Sequence, residues 1–182
     1  MSAAAGKGAR LPVLEPEAMD PAQRAVYEQF TAPRPDGSRP KGTPYRLTLH
    51  WPEFTALWHE TGETLRNKGR LPGALSEFAI LLTASHWQCP HPLQTHARAA
   101  AEQGLPQALI DAAVAGRRPA DMDADQTAIH DFCVALHTRH RVDDPTYAAV
   151  LERFGAFGAV ELTAVVGYYT MVAMTLNAHG GS

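Results

Sequence analysis

The stretch Gly73-Ala-Leu-Ser-Glu-Phe-Ala-Ile-Leu-Leu-Thr-Ala-Ser-His-Trp87, followed by Gln88-Cys-Pro-His-Pro-Leu-Gln-Thr-His96, decides how the chain is read. Leu75, Phe78, Ala79, Ile80, Leu81 and Leu82 cover most of a helical circumference, so the first segment predicts a central helix with neighbours on nearly every side. That helix must stop before Pro90, because proline has no N–H to continue it. A further helix is predicted from near Pro92 to Gly104. Their junction holds three histidines and a thiol: His86, Cys89, His91 and His96.

Outward from this pair, apolar residues recur at helical spacing, and no stretch alternates between hairpin turns, so the chain reads as all-α. Asp20-Pro21 opens a helix that ends near Thr31, with Ala25, Val26 and Phe30 on one face. Ala32 to Pro44, with four prolines and two glycines, reads as a loop or lid. Pro52 to about Asn67 is a helix turning Phe54, Leu57, Trp58 and Leu65 toward a core. Pro106 to Ala115 closes on Gly116, and Asp123 opens a helix to about Arg139. Asp143-Asp144-Pro145 starts another that runs to Phe154 before Gly155, and Gly158 to Ala178 forms the last of about eight helices.

The 182 residues suit a single domain over 1-182, with residues 1-10 expected to be flexible. Sixteen Lys and Arg against nineteen Asp and Glu give a net charge of -3, which leaves no electrostatic footprint for nucleic acid or anionic lipid. Two cysteines, Cys89 and Cys133, cannot build a disulfide framework. Met1 to Arg10 lacks the pattern of a secretory leader, so a cytoplasmic location is expected. The apolar stretch Leu162 to Leu176 is broken by Thr163, Gly167, Thr170 and two tyrosines and is too short for a bilayer span. A helix apolar nearly all round needs cover on every side, which favours a homo-oligomer: a dimer, trimer or hexamer.

The start of the helix after Cys89 should carry partial positive charge and free N–H groups, favouring a thiolate at Cys89 or a carboxylate-bearing substrate. Cys133 falls on an apolar face with Ile129, Phe132 and Leu136 and reads as core. His137 and His140 read as a solvated helix end. His86, His91 and His96 are not at helical spacing and no His-Glu-x-x-His occurs, so no metal is expected. Glu161, inside the apolar final helix, needs a partner if buried; it reads as a structural residue or as a second catalytic acid.

From about Leu11 to Ala178 the chain resembles carboxymuconolactone decarboxylase-like proteins of the alkylhydroperoxidase D-like superfamily. The resemblance rests on Leu11-Pro-Val-Leu with Pro21-Ala-Gln-Arg-Ala-Val-Tyr27, on Ser76-Glu-Phe-Ala-Ile-Leu-Leu82 leading into His86-Trp87, on His96, and on the segment Val160 to Asn177. It implies an all-α oligomeric fold. In the peroxidase branch the signature is Glu, eleven residues, Cys-x-His-Cys, and a His four residues on. Glu77, Cys89, His91 and His96 match it, and Pro92 stands at the second cysteine. A two-cysteine redox cycle therefore cannot operate here. The Glu-Trp that many decarboxylase-like members carry before the His reads Pro92-Leu93 instead.

The residues themselves point to acid–base chemistry on a small carboxylated or lactone substrate, of the lyase or isomerase kind, with no cofactor. His96 is the expected general acid/base and Glu77 the carboxylate that orients it or shuttles for it. Cys89 or His91 is a second proton donor. Arg46 is placed to hold a substrate carboxylate, and His86 and Trp87 to line the substrate site. Two alternatives remain: a one-cysteine thiol peroxidase or reductase using Cys89, and a non-enzymatic small-molecule binding protein.

Overall fold

Asp20 and Asp123 begin helices for one reason. Each carboxylate accepts the backbone N–H three residues on (Gln23 and Gln126, 2.8 Å in both), while that glutamine's side-chain oxygen accepts the aspartate's own N–H. Such reciprocal caps satisfy two orphan donors at once. In a computed structural model that describes residues 10–33 and 43–180, the chain is all-helical, with no strand among the described residues. The helices are α1 (Pro21–Thr31), α2 (Thr43–Thr48), α3 (Pro52–Lys68), α4 (Gly73–His86), α5 (Pro90–Glu102), α6 (Gln107–Val114), α7 (Ala124–Arg139) and α8 (Asp144–His179). Helix α2 was not expected from the sequence. Residues 1–9 and most of the proline-rich loop, 34–42, lie outside the described residues.

The residues fall into two compact units, Met1–Asn67 with Met174–Ser182, and Lys68–Ala173. The first is held by an aromatic cluster: Phe30 and Tyr45 lie 5.3 Å apart, and Tyr45 meets Trp58 edge-on at 5.4 Å. On α3 the buried stripe is Thr55, Trp58 and Gly62, and the Thr55 hydroxyl donates to the Thr48 carbonyl at 2.7 Å. Leu57, expected in the core, is 65% exposed, because one residue's step on a helix turns it away from the stripe that Trp58 fills.

In the second unit α4 is central, packing against α5, α6 and α7. Phe78, Ala79 and Leu81 are fully buried, as its all-round apolar sequence requires. Helices α5 and α6 are followed by left-handed glycines, Gly104 (φ 85°) and Gly116 (φ 66°), which let the chain turn without a Cβ clash. Glu161 is 7% exposed and its Oε2 accepts the backbone N–H groups of Arg70 (2.8 Å) and Leu71 (3.1 Å). It caps the segment leading into α4, which gives the buried carboxylate a structural role.

Helix α8 is long and apolar enough by composition to cross a membrane, but it is not continuous. Gly155, with φ 65° and ψ -177°, breaks it at the boundary the sequence indicated. Beyond the break Leu162, Val165 and Ala173 are buried, while Val160 (70%), Gly167 and Met174 (51%) are exposed. The backbone at Gly155 is one that only glycine adopts without strain. A Cβ there would meet nothing within 4 Å, so any cost of adding one is purely conformational. Gly155→Ala is expected to lower stability by about 1–3 kcal/mol in urea denaturation. Gly167→Ala, at an exposed helical site with equally open space, is expected to raise it by up to about 1 kcal/mol.

Candidate functional site

The site is built on the turn that ends α4. Gln88 takes the left-handed conformation (φ 49°), its N–H donates to the Ser85 carbonyl, and the Cys89 N–H donates to the Ala84 carbonyl, each at 3.0 Å. This closes the last turn of α4 and reverses the chain into α5. Glu77 and His96 lie at roughly similar distances on either side of the reversal, so the hairpin sets them face to face. His96 Nδ1 and Glu77 Oε2 are 2.7 Å apart, and their side chains are 18% and 19% exposed, within reach of solvent. Tyr169 of α8 meets the His96 ring edge-on at 4.9 Å, and Tyr168 packs against Tyr169 at 5.3 Å. An imidazole whose Nδ1 is held by a carboxylate exchanges protons at Nε2, and the carboxylate stabilises the cation that results.

Cys89 is the N-cap of α5 and is fully buried. Burial pushes its thiol up, and the nearby backbone N–H of His91, which makes no hydrogen bond to the sulfur, offsets this only in part. The expected thiolate is thus corrected. The expected anion site is reduced with it, because Pro90 and Pro92 have no N–H and the Leu93 N–H donates to the Cys89 carbonyl, which leaves His91 as the one backbone donor in the first three positions of α5. The His91 side chain is exposed. Cys133 is fully buried in the core as expected, and burial pushes its thiol upward too.

Trp87 Nε1 donates to the Thr170 hydroxyl at 3.2 Å, which ties the end of α4 to α8. His86 is exposed, lies 5.8 Å from the Trp87 ring and is paired with His137 of α7 at a ring separation of 4.6 Å. His137 is therefore not the solvated helix-end residue expected. It is half-buried and donates from Nδ1 to the Cys133 carbonyl at 3.0 Å, while burial, with His86 and His140 nearby, holds its pKa down at about 4. Arg46 belongs to the first unit, where its guanidinium pairs with the Glu15 carboxylate (3.3 Å) and the Leu14 carbonyl (3.4 Å). It pins the N-terminal segment there instead of holding a carboxylate for a substrate.

Two open grooves, of about 590 and 400 Å³, lie along α7 and the first half of α8, and Asp131 and Thr146 line both. Neither is lined by Glu77 or His96. The sequence reading missed Tyr169 and the burial of His137. A polar aromatic pair, Tyr168-Tyr169, interrupting an otherwise apolar helix was the available signal for the first. Among the described residues no group of three or more His, Cys, Asp or Glu is arranged to hold a metal ion.

The chain has the all-α alkylhydroperoxidase D-like fold. It is similar to an alkylhydroperoxidase AhpD core structure, an uncharacterized peroxidase-related protein from Ralstonia eutropha JMP134, at 21% identity and a TM-score of 0.74, over 96% of this chain and 92% of that one. It is also similar to an uncharacterized peroxidase-related protein from Silicibacter sp. TM1040, at 16% identity and a TM-score of 0.76, over 97% and 92% of the two chains. No protein-family model matches the chain, and no curated protein matches it significantly.

The buried His137 makes stability depend on pH. Its ordinary pKa is 6.5 and its folded value about 4, so between those values the unfolded chain binds a proton that the folded chain refuses. Stability contributed by the neutral ring is present above pH 6.5 and is lost as the pH falls toward 4. Melting temperatures measured from pH 7 to 4.5 are expected to fall more steeply for the wild-type chain than for His137→Asn.

Proposed function

We propose that this chain is a cofactor-free acid–base enzyme of the lyase or isomerase type, acting on a small carboxylated or lactone substrate. The observation that carries the reading is the 2.7 Å contact of His96 with Glu77, partly open to solvent, in a chain whose motif cysteine is buried and has no second thiol to work with. Glu77 holds Nδ1 of His96, and Nε2 takes a proton from the substrate or returns one as the enolate forms and collapses. The edge of Tyr169 fixes the plane of the ring. The resemblance to carboxymuconolactone decarboxylases supports this class of substrate. The exposed, uncharged face of α8 at Val160, Gly167 and Met174 supports assembly as a homo-oligomer, and the cytoplasm is the expected compartment.

A second reading makes Cys89 a one-cysteine peroxidase, with the sulfur attacking a hydroperoxide to give a sulfenic acid and an alcohol, and an external thiol reducing it. It draws on the peroxidase-related description of the similar structures and on the His91 N–H at the sulfur. The raised thiol weighs against it.

One set of variants separates the two. Assayed on unsaturated carboxylated lactones, His96→Ala is expected to lower kcat/KM by about 10²–10⁴-fold, with Glu77→Gln intermediate and Cys89→Ser close to wild type. Unchanged turnover in His96→Ala defeats the acid–base reading. Peroxide consumption that Cys89→Ser abolishes and His96→Ala spares establishes the second.

A further inference from the structure

We propose that His86 and His137 form a binding site for a divalent first-row transition cation such as Zn²⁺, where α4 and α7 end beside each other. The starting point is an atom without a partner. His137 Nε2 is buried and has no hydrogen-bond partner, while Nδ1 of the same ring donates to the Cys133 carbonyl at 3.0 Å. The backbone bond fixes the tautomer and leaves the lone pair on Nε2, the arrangement that metal-bound histidines show when a carbonyl holds their other nitrogen. A buried acceptor left unpaired calls for an explanation, since such groups are rare and costly.

The neighbouring ring belongs to His86, 4.6 Å away between centroids and inclined at 53°. His86 is exposed, so its ring has room to turn and admit an ion between the two. The backbone under it is not free: α4 packs on α7, and the neighbouring Trp87 is tied to Thr170. Two imidazoles on packed helices therefore lie side by side, one of them with a buried, unpartnered Nε2. Of the basic groups nearby, Arg139 of α7 is paired with Asp143 at 2.8 Å, while His140, at the end of α7, adds positive charge only when protonated, so a cation is expected to bind best above the ordinary histidine range. Imidazole nitrogens select zinc, nickel and copper over magnesium and calcium. Two protein ligands leave the remaining positions to water.

The test is titration calorimetry of the tag-free full chain with Zn²⁺ and with Mg²⁺. It uses the wild type, His86→Ala, His137→Phe and the control His50→Ala, an exposed histidine of the first unit. One Zn²⁺ per chain is expected, with affinity at least about tenfold lower in His86→Ala and His137→Phe, unchanged in His50→Ala, and no Mg²⁺ binding. Because His86 is exposed, its alanine variant is expected to fold even if His137→Phe does not. Absence of Zn²⁺ binding in the wild type overturns the proposal, as does an unchanged affinity in His86→Ala whatever the other variant does.

Discussion

A single non-glycine residue in the left-handed conformation sets the geometry of the Glu77–His96 pair. Gln88 bears the strain of that conformation, about 1–2 kcal/mol for an L-residue, and in return the chain reverses within three residues of the central helix of its unit. The reversal aligns α5 along α4 and sets His96 opposite Glu77. A looser connection would let α5 slide along α4 by a fraction of a turn, and a slide of one residue is enough to carry an imidazole away from a carboxylate at 2.7 Å. The histidine–carboxylate pair is thus a product of the turn more than of the two residues' own preferences.

The same turn decides the state of Cys89. Position at a helix start lowers a thiol's pKa, and burial raises it; which effect wins depends on how many N–H groups point at the sulfur. Prolines at the first and third positions of α5 remove two donors, and the Leu93 N–H is taken by a carbonyl, so only the His91 N–H, close by but not bonded to the sulfur, is left to oppose complete burial. The thiol stays protonated. Pro92 thus acts twice, replacing a cysteine in the motif and depriving the remaining cysteine of a donor.

Much of the fold was legible in the sequence because capping and periodicity are local. Asp20, Asp123, Gly104, Gly116 and Gly155 mark helix ends where the structure has them. Helix α2 was not legible, since six residues following a proline-rich run carry too little periodicity to register. Leu57 was misplaced because only tertiary contact decides which stripe of α3 turns inward. At the site, the pairing of Glu77 with His96 followed from hairpin geometry. Its third member, Tyr169, comes from a segment more than seventy residues away and could not be placed from spacing. His137 was misread for a related reason: its surroundings in sequence are charged, and its surroundings in space are a carbonyl and another histidine.

The cap that Glu161 places on Arg70 and Leu71 joins segments 91 and 90 residues apart. Contacts of such long range form late, after the loop between them has been closed at an entropic cost. The entrance to α4 therefore settles only once α8 has docked, so a nascent chain leaves this segment unfastened until synthesis has passed Glu161.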